Sequence, residues 1–488
     1  MKKLVLLISV WSIVFSSIAQ EKVLELSETF RTSYLSQKES FAISNKSTNE
    51  LVLLLKEKKL LYSYLLDSKY KISNQIYSRT VPSKYSKILG YNVNNKIYSI
   101  FYSNDRNSKF AVLRLDFTNN SSEIKILEDF KIKNEVYIES INYNNKIHLL
   151  TTTENTSDIN IYLFDKDLNP TKRVVRLEKL EFPKIEVLNS QLTVSNLFAG
   201  IPLQYRISKI ESRNPNIIET TSSQIKLYPL DNELTISFDI SSKETTLCHI
   251  NLDTFATKLK RYEIEQRGEE FDQSNSYVFD HKLFQISSSK IKLKFSILDL
   301  KTEQLIKEYL IEEKDSINFK NSPIFIEGSD ISQLFRKDKF RTVEKTKKFL
   351  RNISLGNVGI SAYKVDHAYD IVLGGTLFSH GSVALGGFGF GGTLGGGNFM
   401  SFNFNPTFYG YRGYNASTKT TYINCLFDAN FNHSQGDIPL NKYDILNDFE
   451  TTLPEKINAI NIFIHNEILH FNYFDPKEKI FKLYKFEE

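Results

Sequence analysis

The sequence predicts an all-β fold built from seven or eight repeats of four strands, with eight favoured. Apolar, strand-like runs end at regular intervals in an apolar residue followed by a carboxylate. These carboxylates are Asp67, Asp116, Asp165, Glu211, Asp253, Asp299, Asp428 and Asp475. Their successive intervals are 49, 49, 46, 42, 46, 129 and 47 residues, and a period near 47 falls in the range of four-stranded repeat units. The Glu211 repeat is the weakest match, and the count is seven if it or a terminal repeat is not complete.

Polar pairs mark a second turn in the middle repeats, roughly twenty residues before each carboxylate. The pairs are Asn94-Asn95, Asn144-Asn145, Asn189-Ser190, Asp231-Asn232 and Asp280-His281. Such pairs between two apolar runs favour tight hairpins. Asp favours the later turn because its side chain can accept a hydrogen bond from the backbone two residues on. Each repeat is therefore predicted to contain strand A, a hairpin turn, strand B, a loop, strand C, an Asp turn and strand D.

In period and turn placement, residues 41–488 resemble β-propeller repeat proteins. The W-D dipeptide and the other family signatures of propellers are absent, so the resemblance implies a fold and no function. Two stacked β-sandwiches are the competing arrangement, because their turns also recur at short intervals. A period that is kept over so many repeats favours the propeller.

Residues 1–19 are predicted to be a secretory signal peptide. Lys2 and Lys3 precede the apolar run Leu4–Phe15, and Ser17-x-Ala19 has the small residues of a cleavage site. The apolar run is shorter than the ~20 residues that a spanning helix needs, which argues against an uncleaved anchor. The chain is therefore expected to be exported, to the periplasm, the outer membrane or the medium. Residues 20–40 are predicted to be a lead-in, with a short helix at Val23–Leu35.

Charge and cysteine content narrow the functional classes. Removing the two lysines of the signal peptide lowers the formal net charge from +5 to +3 (5 − 2), which gives no support for nucleic-acid binding. Cys248 and Cys425 both lie in apolar strand patterns, two repeats apart. They are predicted to be buried free thiols, because an unpaired cysteine behaves as a small apolar residue.

The interval of 129 residues exceeds one period of 47 by 82 (129 − 47) and predicts two insertions, at 313–355 and 376–415. The first is predicted to hold a basic amphipathic helix. Between Arg336 and Arg351, eight Lys and Arg residues outnumber two acidic ones, and apolar residues recur at helical spacing. The alternative for this helix is simple packing against the rest of the fold.

The stretch Ile371–Tyr411, which covers most of the second insertion, contains no charged residue, and eleven of the chain's 20 glycines lie between Gly374 and Gly397. Alternation of aromatic and small residues predicts a hairpin arm of roughly 33 Å, at about 3.3 Å per residue. A lone hairpin cannot satisfy its outer edges in lipid, so we expect the arm to be buried in a protein partner. A disordered glycine-rich linker is the alternative, but linkers seldom carry so many phenylalanines.

Topology places both insertions side by side, because the loops from strand D to A and from strand B to C leave an antiparallel meander at the same end. The residues predicted to dock a partner are Phe388, Phe390, Phe399, Phe402, Phe404, Phe408, Lys339, Arg341, Lys345 and Lys348. The expected partner is a protein of the cell envelope, with an outer-membrane barrel or a secretion pore as the candidate types. The basic helix adds an expected peripheral membrane contact. A pore formed by several copies of the chain is a third possibility.

No catalytic, cofactor or metal site is predicted. Gly387-x-Gly389-x-x-Gly392 is followed by no helix, which a dinucleotide site requires. The Asp165 turn lacks the glycine and distal glutamate of a calcium loop.

His465 and His470 flank Glu467 outside the H-E-x-x-H register of zinc enzymes. Glu269, Glu270 and Asp272 fit a solvated loop better than a glycosidase pair. The sequence therefore favours a non-enzymatic envelope subunit. The alternative is an extracytoplasmic propeller that binds or hydrolyses glycans or peptides in its central funnel.

Overall fold

The computed structural model describes residues 19–27, 38–177, 180, 182, 192–200, 205–264, 271–328, 341–378 and 418–487. Over these residues the protein is nearly all β, with thirty strands in seven sheets and four short helices. The prediction of an all-β fold is confirmed. The predicted signal peptide, residues 1–18 in particular, lies outside the described residues.

Four of the sheets are antiparallel meanders of four strands in chain order. The first contains β2 (Lys38–Asn45), β3 (Glu50–Glu57), β4 (Leu60–Leu66) and β5 (Ile72–Arg79). The second contains β6 (Lys87–Asn94), β7 (Ile97–Ser103), β8 (Phe110–Asp116) and β9 (Ser121–Ile126). The third contains β10 (Glu135–Tyr143), β11 (Lys146–Thr153), β12 (Ile159–Phe164) and β13 (Pro170–Val175). The fifth contains β19 (Gln273–Phe279), β20 (Lys282–Ser288), β21 (Lys292–Asp299) and β22 (Leu305–Glu312).

The fourth sheet adds a short parallel strand to its meander. Its strands are β14 (Ile207–Lys209), β15 (Ile225–Leu230), β16 (Glu233–Ser241), β17 (Glu244–Asn251) and β18 (Thr257–Glu263). The helices are α1 (Val194–Phe198), α2 (Ile218–Thr221), α3 (Thr346–Ile353) and α4 (Lys442–Thr451).

The sixth sheet takes its outer strands from the predicted first insertion. Its spatial order is β24 (Arg341–Val343), β23 (Ile324–Gly328), β27 (Thr418–Phe427), β26 (Ala368–Phe378) and β25 (Asn357–Val365). The sequence predicts that strand D of this repeat follows Asp428. In the structure β23 takes that position beside β27, although it precedes strand A of the repeat, β25, in the chain. The chain instead continues from Asp428 towards α4.

The seventh sheet joins the two ends of the described chain. Its spatial order is β1 (Ala19–Ser27), β30 (Ile480–Glu487), β29 (Ile468–Asp475) and β28 (Asn458–His465). The helix predicted at Val23–Leu35 is wrong over Val23–Ser27, because these residues pair with the last strand of the chain. Asp475 therefore lies at the end of β29, before β30. The sequence predicts that it precedes the last strand of a repeat, but here the remaining strand, β1, comes from the start of the chain.

The predicted turn chemistry is present. Asp67 Oδ1 accepts hydrogen bonds from the backbone nitrogens of Lys69 (2.8 Å) and Lys71 (2.9 Å), and these amides lower the pKa of Asp67. In the hairpin turns, Asn95 has φ 54° and Asp231 has φ 49°, a left-handed conformation that Asn and Asp tolerate better than other non-glycine residues. Asn189-Ser190 lies outside the described residues.

Seven hydrophobic clusters fill the spaces between consecutive sheets of the described chain. They join the first sheet to the second, the second to the third, and so on to the seventh. The last cluster returns from the seventh sheet to the first, with Phe463 of β28 and Leu53 of β3 among its members. Most sheets are thus covered on both faces, which explains why strands such as β3 are apolar at consecutive positions.

The predicted repeat at Glu211 is wrong, since the described residues form no eighth sheet there. We call residues 205–223 the central segment. Lys209 Nζ donates a hydrogen bond to Ser140 O of β10 (2.8 Å), and Asn216 Nδ2 donates one to the Tyr277 hydroxyl of β19 (3.0 Å). Tyr443 of α4 donates its hydroxyl hydrogen bond to Arg213 O (2.7 Å). The central segment therefore contacts edge strands of several sheets. Glu211 does begin a turn, in which its Oε1 accepts a hydrogen bond from Arg213 N (3.2 Å), but this turn belongs to the central segment and not to a further sheet of the described residues.

Candidate docking surface

Each predicted insertion contains a stretch that starts from the same end of the sixth sheet. In the pairing of β26 with β27, Phe378 is opposite Thr418, and in the pairing of β23 with β27, Gly328 is opposite Lys419. Residues 379–417 and 329–340 thus continue from neighbouring strand ends. We call this end of the sixth sheet, together with α3, the docking end.

Close backbone packing fixes the position of the docking end. A Cβ atom on Gly356 would lie 2.2 Å from Thr376 O, and one on Gly328 would lie 1.9 Å from Thr418 O. Gly328 also has φ +99°, a conformation that residues other than glycine rarely adopt. The backbone at the base of both insertions therefore has no room for side chains at these positions.

The helix predicted from Arg336 to Arg351 is shorter than expected. Arg341–Val343 is strand β24, which pairs with β23, and the helix α3 begins only at Thr346. Val343 is buried as part of the sheet, whereas Phe349, Leu350 and Ile353 are buried on the inner face of α3. Pairing with the otherwise open edge of β23 outweighs the local helical pattern. The apolar face of α3 packs on the fold, as the alternative interpretation held.

The basic side chains of this region point to solvent. Arg341, Lys345, Lys348 and Arg351 are exposed, and no ion pair involves any of them within the part of the chain that the structure describes. Lys347 differs, because its Nζ lies 2.9 Å from Glu313 Oε2. Two predicted groups lie outside the described residues: Lys339, and the phenylalanines Phe388, Phe390, Phe399, Phe402, Phe404 and Phe408.

The central segment holds the base of the second insertion. The Arg206 guanidinium lies over the ring of Phe378, with its carbon 3.2 Å from the ring centre. Burial lowers the pKa of Arg206, and nearby Glu219 opposes this shift. Thr418 Oγ1 lies 3.4 Å from Glu219 Oε2. Sequence reasoning missed these residues, because no local pattern connects positions 206 and 219 with positions 378 and 418.

The histidines considered for zinc are held by other contacts. His470 Nε2 lies 2.7 Å from the Tyr70 hydroxyl, and His465 Nδ1 lies 2.7 Å from Ser44 Oγ. Burial lowers the pKa of His470 to about 3 and that of His465 to about 4, so both rings are neutral at physiological pH. Glu467 instead pairs with Lys46, at 3.8 Å. The described residues contain no cluster of three potential metal ligands.

The cysteines, the carboxylates considered for a glycosidase and the helices complete the set of candidate groups. Cys248 and Cys425 are buried free thiols, which confirms the prediction. Glu269 and Glu270 lie outside the described residues. Among the helices that the structure describes, none is long and apolar enough to span a bilayer.

Comparison with known proteins identifies no family. No family model matches the chain, and no curated protein matches its sequence. A crystal structure of an ACO/RPE65 chimera has a TM-score of 0.28 and 8% identity, over 57% of this chain and 62% of that chain. Cobalt-substituted Synechocystis ACO has a TM-score of 0.27 and 9% identity, over 57% of this chain and 62% of that chain.

A prolyl endopeptidase structure has a TM-score of 0.31 and 7% identity, over 90% of this chain and 55% of that chain. The chain thus spans less than two thirds of the length of each of these proteins. At this level of similarity, none of them indicates a function for the chain.

Proposed function

We propose that the seven sheets are the blades of a closed β-propeller that serves as a non-enzymatic accessory subunit of a cell-envelope complex. Three features support ring closure. A hydrophobic cluster joins the last sheet to the first, β1 pairs with β30, and the central segment contacts edge strands of several sheets. Negative-stain electron microscopy of the purified chain should reveal a disc with seven lobes, whereas two separate lobes would contradict this arrangement.

The subunit binds a protein partner through residues 379–411, which we call the docking segment. The observation that carries this proposal is the contrast between this segment and its base. The docking segment has no charged residue and contains all six phenylalanines predicted to dock, yet its flanking residues are fixed by Arg206 and by strand pairing. A rigid base makes an apolar segment available at a defined position, which reduces the entropic cost of binding.

The chemistry of the docking segment selects the class of partner. Aromatic side chains gain free energy when they leave water, and backbone groups require hydrogen-bond partners that lipid does not supply. A protein with an apolar cavity or an open strand edge meets both requirements. The predicted signal peptide favours a partner in the envelope, and an outer-membrane barrel or a secretion pore fits the description.

Strand register suggests a clean deletion. Because Phe378 pairs with Thr418, residues 379–417 can be replaced by Asn-Gly, which closes a two-residue hairpin. We expect this variant to fold with the thermal midpoint of the parent chain and to lose its partner in cross-linked pull-downs from whole envelopes. A full-length variant, Phe402→Ser/Phe404→Ser, should also lose the partner.

Replacement of residues 265–270, which connect β18 and β19, by a glycine-serine linker of equal length is the matched control, since it leaves the docking segment intact. The proposal is wrong if the deletion variant captures the same envelope proteins as the parent. Empty pull-downs from the parent, together with glycan or peptide binding that survives the deletion, would indicate the alternative binding or hydrolytic propeller.

A further inference from the structure

Basic side chains line one side of α3 and have no ion-pair partner among the residues that the structure describes. Lys348 and Arg351 are three residues apart on α3, so their side chains lie on one face of the helix. Lys345 is the N-cap residue just before them, and all three side chains are exposed. The helix itself is held in place, because Phe349 and Leu350 on its opposite face are fully buried. The charges are therefore displayed on a rigid element.

Neighbouring strands extend this positive surface. Arg341 of β24 and Lys419 of β27 are both exposed. Residues 341–355 contain five basic side chains and one acidic side chain, Glu344, which gives a net charge of +4 (5 − 1). Of those five, only Lys347 has an ion-pair partner among the residues that the structure describes.

Two exposed leucines border the basic row. Leu355 is 56% exposed and Leu377 is 37% exposed. They lie close to each other, because Gly356 packs against the backbone of Thr376 and Lys419 pairs with Leu377. Exposed aliphatic side chains next to Lys and Arg are typical of surfaces that rest on a bilayer, where the apolar groups enter the headgroup region and the cations meet phosphates.

We propose that this surface, which we call the cationic ledge (Arg341, Lys345, Lys348, Arg351, Lys419, Leu355 and Leu377), binds the surface of a bilayer that contains anionic phospholipids. Each Lys or Arg near such a surface strengthens binding by about fivefold. The ledge is distinct from the docking segment, so lipid binding requires no protein partner. It holds the docking end against the membrane in which a barrel partner would lie.

Vesicle sedimentation tests the ledge directly. The full exported chain is mixed with vesicles of phosphatidylcholine alone, or of equal parts of phosphatidylcholine and phosphatidylglycerol. We expect binding only to the anionic vesicles, with an affinity that falls as salt is added. Lys345→Glu/Lys348→Glu/Arg351→Glu should weaken binding by at least about a hundredfold, because it removes three contributions of about fivefold each and adds three negative charges that the anionic surface repels.

The matched control is Lys166→Glu/Lys258→Glu/Lys301→Glu, which changes the net charge by the same amount at exposed sites on other sheets. It should bind anionic vesicles within a few-fold of the parent chain. Leu355→Ser/Leu377→Ser should retain salt-sensitive binding but lose the fraction that persists at high salt. Circular dichroism melting curves verify that each variant is folded.

Equal binding of the parent and the ledge variant to anionic vesicles would overturn the proposal. So would binding of the parent to polyglutamate but not to vesicles, because the ledge would then recognise an acidic polypeptide. Neither outcome affects the envelope pull-down, which depends on residues 379–411.

Discussion

The buried ion pair of Lys226 and Asp239 gives the sharpest test of the packing between sheets. Both side chains are fully buried, and Lys226 Nζ lies 2.9 Å from Asp239 Oδ2. Lys226 also donates hydrogen bonds to Ser223 O (2.6 Å) and to Asn275 Oδ1 (2.5 Å). These contacts join the central segment, the fourth sheet and β19 of the fifth sheet at one point.

Lys226→Met removes the cation and leaves the Asp239 carboxylate buried. Two hydroxyl donors remain for that carboxylate, from Thr245 (2.7 Å) and Ser276 (2.9 Å). An uncompensated buried charge costs about 3–5 kcal/mol, so we expect a loss of that size in the free energy of unfolding. Burial lowers the pKa of Lys226 while Asp239 opposes the shift, which is consistent with a cation held in place by its partner.

Urea unfolding followed by circular dichroism measures the effect. Lys226→Met/Asp239→Leu removes both charges and should recover most of the loss, because an apolar pair of similar volume often replaces a buried ion pair at little cost. Lys260→Met, which breaks an ion pair with exposed Glu303, is the control and should not shift the midpoint measurably. A loss below about 1 kcal/mol for the single variant, or no recovery in the double variant, would refute the reasoning.

Three further predictions follow from single contacts. Burial, with Asp444 adding to it, raises the pKa of Asp370 to about 7. Because this lies above the unfolded value of about 3.9, Asp370 contributes a loss of stability as pH rises from about 4 to 7, and Asp370→Asn should raise the melting temperature at pH 7 relative to that at pH 4 when compared with the parent chain. Gly356→Ala places a Cβ atom against Thr376 O and should lower the free energy of unfolding by at least ~2 kcal/mol, as measured in urea. Deleting β1 leaves the edge of β30 unpaired, so size-exclusion chromatography should show dimers or larger species rather than monomers.

Local interactions made the turns predictable. Asp67 and Asn95 act through contacts within a few residues, so their roles can be inferred from the sequence alone. The Glu211 repeat has the same local appearance, with an apolar strand followed by a carboxylate. Its strand β14 pairs in parallel with β15 because of packing at the centre of the fold, which no window of about ten residues specifies.

Pairing between strands that are far apart in the sequence explains the other elements in which the structure differs from the prediction. β23 pairs with β27 across about ninety residues of chain. Arg341–Val343 then pairs with the other edge of β23, which makes it a strand rather than the predicted helix. The exposure of Arg341, Lys345 and Lys348 was predictable because charged side chains avoid burial. Their grouping with Lys419 and the two exposed leucines depends on the register of the sixth sheet and could not be predicted.

Site-specific photo-crosslinking tests the central claim most directly, that the docking segment binds a protein of the envelope. A photoreactive phenylalanine analogue is placed at Phe402, or at Tyr77 on the outer strand β5, where the side chain is 59% exposed. Irradiation of intact envelopes should give one discrete product of higher mass from position 402 and none from position 77. No product from position 402, or the same products from both positions, would contradict the claim.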